Sequence, residues 1–260
     1  MSGVLLTAGY DRAWHSVLIA ESLRRQGTPP TMILIAYPMS LGRIRTLLRS
    51  RGRAAILRYL LRRNSSDSSR PTLVQLEANK LGVDSPSLKR WAGRHGVQVV
   101  TTGDLNAAST VQRVAELQPG ITAYSGGGIL RRPFIEATGH RILNAHSGLL
   151  PIVRGMNALE WSLLLNQPTG VTMHLIDEGI DTGAVAEWIP VVPNHGDTLD
   201  HLRERLVLAG VQGMVRWVSR ALENRLVTAP AIGLRQRQCF VVAPALRDIC
   251  ERRLTRTLAG

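Results

Sequence analysis

The chain has 260 residues, of which 44% are hydrophobic, so it can bury one sizeable core and is not a disordered protein. No apolar run approaches the roughly 20 residues of a membrane span, and the first residues lack the basic start and long apolar segment of a secretory signal, so we expect a cytoplasmic protein. The net charge is +13, but aromatic residues make up only 4% of the chain, too few for a base-stacking platform, so no stable nucleic-acid partner is expected.

Apolar periodicity predicts alternating strands and helices, beginning with a strand, a helix and a strand within the first forty residues. Strands are predicted at 4–7, 31–36, 97–101, 121–124, 141–145 and 171–176, and helices at 13–25, 87–95, 107–117, 157–165 and 198–222. Asp197 is the candidate N-cap of the last helix. The fold class is therefore α/β, with a mostly parallel sheet flanked by helices. One domain is predicted over 1–222, followed by an extension of uncertain structure over 223–260.

The positive charge is concentrated in one segment, because residues 41–70 hold nine arginines and a single acid, Asp67. We interpret 41–71 as a basic insertion or flap. The stretch 43–63 carries eight arginines and has leucines at helical spacing, which suits either closure over a polyanionic acceptor or contact with an anionic membrane surface. The alternative of another class is a non-catalytic domain that binds an anionic membrane or RNA through this segment.

Two groups of residues could be mistaken for a disulfide framework or a metal site. Cys239 and Cys250 are too few to indicate a disulfide framework or a zinc site. The two His and two Asp residues within 195–201 are better explained by the start of a helix than by a metal cluster. No metal is therefore predicted.

The stretch NAHSGLLPIVRG, residues 144–155, places an amide and an imidazole two positions apart. If residues 142–146 are extended, the side chains of Asn144 and His146 lie on the same face of the strand. This pattern indicates a polar site with two different hydrogen-bonding groups. An Asn-x-His pair alone is nevertheless more often a strand-end hydrogen-bonding pair than a catalytic site.

A second stretch, TGVTMHLIDEGIDTG at 169–183, favours the interpretation of Asn144 and His146 as a catalytic site. Together the two stretches resemble the folate-dependent formyltransferase family, which includes glycinamide ribonucleotide transformylase, the catalytic domain of methionyl-tRNA formyltransferase and the sugar N-formyltransferases. The family pattern is Asn-x-His, Leu-Leu-Pro and a turn such as Arg-Gly, followed later by Thr-Gly-Val-Thr, a His and Asp-Thr-Gly. The resemblance extends over about residues 1–220. It implies a Rossmann-like formyltransferase fold and 10-formyltetrahydrofolate as co-substrate.

The resemblance also implies roles for individual positions. Asn144, His146 and Asp181 would form the catalytic set. The turn GGGIL and the loop DEGID would hold the pterin of the co-substrate, largely through backbone groups. The residues so implied are Gly126, Gly127, Gly128, Ile129, Leu130, Asp177, Gly179 and Ile180. His174, on the apolar strand VTMHLI, is interpreted as structural or supporting rather than catalytic.

The chemistry of formyl transfer gives an independent reason for these residue types. When an amine attacks the formyl carbon, negative charge develops on the formyl oxygen and the amine must lose a proton. The amide NH₂ of Asn144 can donate a hydrogen bond to that oxygen. The ring of His146 can stabilise the charge or move the proton, because imidazole titrates near neutral pH. A carboxylate at Asp181 would orient the ring. The amide and the imidazole are therefore expected to hydrogen-bond to the same formyl oxygen.

The chain departs from the family pattern at several places. Ser147 follows the His where many members have Pro, and residues 7–16 read TAGYDRAWHS instead of a Gly-rich phosphate loop, which disfavours glycinamide ribonucleotide as acceptor. Few residues remain after 222 for the separate tRNA-binding domain of the methionyl-tRNA enzymes. We therefore expect formyl transfer to a primary amine of a small molecule, most simply a nucleotide-linked amino sugar. Hydrolysis of formyltetrahydrofolate, and formylation of an amino acid or other pathway amine, remain alternatives.

A rival enzyme class starts from AYSGG, residues 123–127, which resembles the nucleophile elbow of a serine hydrolase. An elbow must lead directly into a helix. Three successive glycines followed closely by Pro133 make that helix start unfavourable. The serine-hydrolase hypothesis is therefore the weaker one.

Overall fold

The computed structural model describes residues 3–37, 71–230 and 237–257. The predicted insertion at 41–71, including the surface contact expected through 43–63, lies almost entirely outside these ranges. Within them, no helix is both long and apolar enough to cross a membrane.

The strands of the described chain form one large sheet and one small sheet. They are β1 Val4–Ala8, β2 Pro30–Ala36, β3 Gln98–Thr102, β4 Ile121–Ser125, β5 Ile142–His146, β6 Val153–Gly155, β7 Gly170–Leu175, β8 Val185–Pro190 and β9 Arg237–Cys239. The large sheet has the order β3-β2-β1-β4-β5-β7-β8. Its first five strands are mutually parallel, whereas β7 is antiparallel to both β5 and β8. The prediction of a mostly parallel sheet flanked by helices is confirmed.

Helices cover both faces of the large sheet. They are α1 Trp14–Arg25, α2 Leu73–Lys80, α3 Leu88–His95, α4 Ala108–Leu117, α5 Arg132–Ala137, α6 Ala158–Leu164, α7 Leu199–Leu222 and α8 Pro244–Thr257. One apolar cluster lies between the sheet and α1, α3 and α7, and a second lies between the sheet and α4 and α5. Because both faces are covered, β1 is buried at every position and is apolar at every position but Thr7 rather than alternating.

The start of α7 differs from the sequence prediction. The N-cap is Thr198, whose Oγ1 accepts a hydrogen bond from the backbone N–H of His201 at 3.2 Å. Asp197, the predicted cap, instead forms an ion pair with Arg205 and accepts a hydrogen bond from the backbone N–H of Asn194. Asp197 and Thr198 are both good capping residues, and the ion pair with Arg205 leaves the cap position to Thr198.

The extension after 222 contributes two elements that the sequence analysis did not predict. Strand β9 pairs in parallel with β6, with Gly155 opposite Cys239. Helix α8 packs against α6 and α7, where Cys250 and Leu254 are fully buried. The described part of the extension therefore packs onto the α/β fold and shares its core.

Glu21 makes the stability of the fold depend on pH. This α1 carboxylate is 3% exposed and accepts hydrogen bonds from Arg24, Arg25 and the indole N–H of Trp91. These bonds, above all those from Arg24, lower the pKa of Glu21 from 4.5 to about 2 although burial opposes the shift. Because the folded-state pKa is the lower one, the stabilisation is complete above about pH 4.5 and is lost as the pH falls towards about 2.

The free energy of unfolding of the wild type should fall as the pH is lowered from about 5 to about 2, the range in which a carboxyl group is protonated. We expect this fall to be smaller in Glu21→Gln. Urea unfolding of the wild type and the variant at several pH values measures this. Glu116→Gln is the control, because Glu116 is exposed and accepts a hydrogen bond from the Gln112 amide. Equal acid slopes for Glu21→Gln and the wild type would show that Glu21 does not couple folding to pH.

Candidate active site

The pairing of β5 with β7 brings polar side chains from two strands onto one face of the sheet. Asn144 lies opposite His174, and His146 lies opposite Thr172. The intervening residues point to the other face, where Ala145 lies beneath Gly210 of α7. Residues paired across two antiparallel strands point to the same face of the sheet. The register of β5 against β7 therefore places an amide, two imidazoles and a hydroxyl on one face.

The loop after β7 folds back over this face and places Asp181 against both imidazoles. One Asp181 oxygen, Oδ2, lies 3.4 Å from His146 Nδ1, and the other, Oδ1, lies 3.6 Å from His174 Nε2. Oδ2 also accepts a hydrogen bond of 2.8 Å from the backbone N–H of Gly155. Asp181 itself has φ +52°, a left-handed conformation that Asp tolerates better than most residues. The structure thus brings together Asn144, His146 and Asp181, with His174 between Asn144 and Asp181.

His174 determines how the Asn144 amide is oriented. Its Nδ1 lies 2.8 Å from the carbonyl oxygen of Leu175, which can only accept, so Nδ1 carries the ring proton. The side chain is almost fully buried, and this burial lowers the pKa of His174 despite the nearby Asp181 carboxylate. In the neutral ring Nε2 is then an acceptor, and it receives a hydrogen bond of 3.0 Å from Asn144 Nδ2. His174 therefore engages one N–H of the amide, and within the described residues no hydrogen bond uses the second N–H.

His146 is held at both ring nitrogens. Its Nε2 donates to the carbonyl oxygen of Val153 at 2.8 Å, and its Nδ1 faces Asp181. The Asp181 carboxylate therefore fixes the orientation of the ring from the Nδ1 side. The ring is 7% exposed. In this geometry the Nε2–H of His146 is engaged by Val153, so the expectation that amide and imidazole hydrogen-bond to one oxygen together stays a prediction.

The turn GGGIL follows β4 and has a backbone that only glycine adopts easily. Gly126, Gly127 and Gly128 have φ values of +115°, +135° and +96°. The Tyr124 hydroxyl donates to the carbonyl oxygen of Gly128 at 2.6 Å, and burial raises the pKa of Tyr124, so this donor stays protonated. After the glycines, Ile129 is 72% exposed whereas Leu130 is buried.

Asn106 fixes the far end of this turn and was not predicted from the sequence. Its Nδ2 donates to the carbonyl oxygen of Ile129 at 2.9 Å, and its Oδ1 accepts from the backbone N–H of Arg131 at 2.7 Å. The only local signal was a polar residue in a loop, which does not distinguish it from its neighbours. Its role emerges only from a contact between two loops that are distant in sequence.

The loop DEGID is braced by Asp177. Its Oδ1 accepts hydrogen bonds from the backbone N–H of Gly179 at 3.0 Å and from the Thr182 hydroxyl at 2.5 Å. Ile180, at the tip, is partly exposed. Asp177 and Gly179 therefore shape the turn that delivers Asp181, while Ile180 offers apolar surface to a ligand.

The turn after β4 is not a nucleophile elbow. Ser125 ends β4, and its Oγ lies 2.7 Å from Ser16 Oγ. The chain then runs through the three glycines and enters no helix before Arg132. This geometry agrees with setting the serine-hydrolase hypothesis aside. In the described ranges, no group of three or more His, Cys, Asp or Glu side chains is placed to hold a metal ion.

Gly155 connects the small sheet to Asp181. It has φ +94°, and a Cβ added there would meet the Cys239 carbonyl oxygen at 2.4 Å. We expect Gly155→Val to separate β6 from β9, to weaken the hydrogen bond to Asp181, and to lower the rate of the expected formyl transfer about 10- to 10²-fold. Gly196→Val is the matched control, because Gly196 also has positive φ but nothing lies within 4 Å of its added Cβ. Steady-state rates and melting temperatures of both variants test this prediction. If the two variants had equal rates, the contact of Gly155 with Asp181 would have no part in the reaction.

Comparison with known proteins decides the family. The family model described as "Formyl transferase" matches residues 71–218, more than half of the chain. This chain belongs to the formyl transferase family. The matched range contains Asn144, His146, His174 and Asp181.

Sequence relatives cover the same region. The chain is 26% identical over 155 residues to the methionyl-tRNA formyltransferase of Thermodesulfovibrio yellowstonii, covering 58% of this chain and 50% of that protein. It is 32% identical over 152 residues to that of Parvibaculum lavamentivorans, covering 56% and 48%. The chain thus spans about half the length of the curated relatives it matches.

Solved structures share the fold at low identity. Glycinamide ribonucleotide transformylase 1 from Symbiobacterium toebii has a TM-score of 0.58 at 18% identity, covering 89% of this chain and 95% of that one. The N-formyltransferase from Helicobacter canadensis, solved with folinic acid and dTDP-3-aminofucose, has a TM-score of 0.60 at 15% identity, covering 98% and 81%. These likenesses confirm the expected Rossmann-like formyltransferase fold.

Proposed function

We propose that the chain is an N-formyltransferase that moves a formyl group from 10-formyltetrahydrofolate to a primary amine of a small molecule, with a nucleotide-linked amino sugar as first choice. One observation carries the proposal. Asn144, His146 and Asp181 meet around His174 in a chain that belongs to the formyl transferase family. In formyl transfer to an amine, an amide can stabilise the developing negative charge, an imidazole can move the proton, and a carboxylate can orient the imidazole.

The residues around the glycine turn suit a folate. At Gly128 no atom lies within 4 Å of an added Cβ, so a flat ring can approach the backbone closely there. Exposed Ile129 and partly exposed Ile180 supply apolar surface. Unlike a side-chain pocket, such a turn recognises a heterocycle through its peptide N–H and C=O groups.

The proposed reaction needs one oxyanion donor and one route for a proton. The amine nitrogen attacks the formyl carbon, and the carbonyl electron pair moves onto oxygen, where the free N–H of Asn144 donates to it. Collapse of this intermediate breaks the bond between the formyl carbon and N10 of the folate. The proton that the amine loses balances the proton that N10 gains. The pair of His146 and Asp181 is the group placed to hold that proton in transit.

The loop after β1 supports an acceptor other than glycinamide ribonucleotide. Asp11 lies in this loop, and its carboxylate accepts hydrogen bonds from the Ser87 hydroxyl at 2.9 Å and the backbone N–H of Lys89 at 2.8 Å. A carboxylate fixed there would repel a phosphate bound in a loop after β1. The sequence relatives named above favour a second candidate, formylation of methionyl-tRNA.

An acceptor panel distinguishes these candidates. The full chain is incubated with 10-formyltetrahydrofolate and, in separate reactions, a nucleoside diphosphate amino sugar, glycinamide ribonucleotide, methionyl-tRNA, an amino acid, or buffer alone. Release of tetrahydrofolate is followed together with the mass of the acceptor. We expect a gain of one formyl group on the amino sugar. Formylation of methionyl-tRNA alone would overturn the choice of acceptor, and formate without any formylated amine would identify a hydrolase.

A further inference from the structure

The end of the glycine turn is held by two side chains that lie outside the turn. The Tyr124 hydroxyl donates to the carbonyl oxygen of Gly128 at 2.6 Å. The Asn106 amide donates to the carbonyl oxygen of Ile129 at 2.9 Å and accepts from the backbone N–H of Arg131 at 2.7 Å. The three successive peptide groups from Gly128 to Arg131 are therefore each held by one side-chain hydrogen bond.

Peptide planarity extends this control to the other end of each peptide group. These peptides are trans, so their C=O and N–H groups point in opposite directions, and a bond that fixes one of them also fixes the other. The groups fixed in this indirect way are the N–H of Ile129 and both the N–H and the C=O of Leu130. Among the described residues, none of these three groups has a hydrogen-bond partner. The turn thus presents two donors and one acceptor in a preset arrangement.

The orientation of the Asn106 amide is fixed by the loop between β3 and α4. Its Nδ2 also donates to Asp104 Oδ1 at 2.9 Å, and the same oxygen accepts from the backbone N–H of Asn106. The intervening Leu105 is fully buried, and a Cβ added at Gly127 would meet Leu105 Cδ1 at 2.4 Å. The loop therefore packs against the glycine turn and holds the amide in place.

Tyr124 connects the same turn to the proposed catalytic strand. It lies on β4 and pairs with Asn144 of β5 in the parallel register. The two side chains therefore lie on the same face of the sheet. Through the Tyr124 hydroxyl, the position of Gly128 is tied to the strand that carries the catalytic amide.

We propose that Asn106 and Tyr124 are positioning residues for folate, which hold the glycine turn in the conformation that binds the pterin. Because the turn is already ordered, binding does not have to restrict its peptide groups, and affinity rises. This inference deepens the proposed function and rests on it, since it requires the pterin to lie against the turn. The two side chains set the affinity for folate and take no part in the chemical step.

Binding of folinic acid tests these roles without an acceptor. Asn106→Ala and Tyr124→Phe remove the hydrogen bonds, and calorimetry on the full chain measures the dissociation constant. We expect it to rise about tenfold or more in Asn106→Ala and about three- to tenfold in Tyr124→Phe, which loses a single hydrogen bond. The matched controls are Asn79→Ala and Tyr37→Phe, which change an exposed amide and an exposed tyrosine outside the turn and should bind like the wild type.

Two further measurements separate positioning from a general loss of structure. In the transfer reaction, the KM for 10-formyltetrahydrofolate should rise in both variants while kcat stays within about twofold of the wild type. The double variant should lose less affinity than the product of the two single losses, because both side chains hold the same turn. If Asn106→Ala does not fold, Asn106→Asp keeps the acceptor for Arg131, loses both donors, and should weaken binding about three- to tenfold.

Variants that melt at a lower temperature but bind folinic acid like the wild type would give the two side chains a purely structural role and overturn their role in positioning. A fall in kcat with unchanged affinity, or full additivity in the double variant, would overturn it as well. These results would leave the proposed reaction standing. A wild type that does not bind folinic acid would contradict the proposed function and the positioning role together.

Discussion

Asn144→Ala is expected to lower kcat about 10²–10³-fold, because it removes the N–H that stabilises the developing oxyanion. His174 takes one of the two amide hydrogens, and in the described part of the chain no acceptor is bonded to the second, which can therefore donate to the formyl oxygen. The ground-state affinity for folate should change little, since the interaction strengthens only as charge develops. Rates at saturating substrate, together with folate binding by calorimetry, measure the two quantities.

Asn79→Ala is the control for this experiment, because Asn79 is an exposed amide on α2. It should leave both quantities unchanged. If Asn144→Ala lost folate binding and kept its kcat, Asn144 would be a binding residue rather than an oxyanion donor. If it lost neither, the free amide hydrogen would have no part in the reaction.

The second large effect is expected for His146→Ala, with turnover lowered by about 10² or more and folate affinity nearly unchanged. The ring lies 3.4 Å from Asp181 and is the group placed to hold the proton that the amine loses. Asp181 would keep its hydrogen bond from Gly155 in the variant, so the loop should stay in position. Single-turnover rates at saturating substrate measure the effect, and folate binding by calorimetry measures the affinity.

Thermal unfolding is the companion measurement for His146→Ala, because the ring is buried and its removal leaves a cavity. A variant that melts close to the wild type and turns over slowly supports the proton role. A parallel loss of folate affinity would show that His146 shapes the pocket instead.

The alternating elements of the α/β fold could be predicted because their signals are local. Helix α3 begins after Ser87, whose hydroxyl accepts from the backbone N–H of Arg90, and ends at Gly96 with φ +67°. Both residues are standard end signals within one short stretch of sequence. Short elements escaped prediction for the opposite reason. Strands β6 and β9 have three residues each and pair with one another across more than eighty positions of the chain.

Some features of the candidate site could likewise be predicted from local sequence, whereas others depend on contacts between distant segments. The shared face of Asn144 and His146 follows from a two-residue spacing on a strand. The position of Asp181 was implied only by family resemblance, because its approach depends on a loop that folds back over the sheet and on a contact with Gly155. His174 was expected to be structural or supporting. Its contacts with Asn144 and Asp181 depend on the register of β7 against β5, which no local pattern reveals.

Transfer of a labelled formyl carbon tests the central claim most directly. The wild type and Asn144→Ala are incubated with 10-[¹³C]formyltetrahydrofolate and a nucleoside diphosphate amino sugar, and the fate of the label is followed by ¹³C NMR. The proposed mechanism predicts that the label appears as a formamide on the acceptor nitrogen, about 10²–10³-fold faster with the wild type than with Asn144→Ala. Label that stays on the folate, or that reaches formate at the same rate with and without the acceptor, would contradict it.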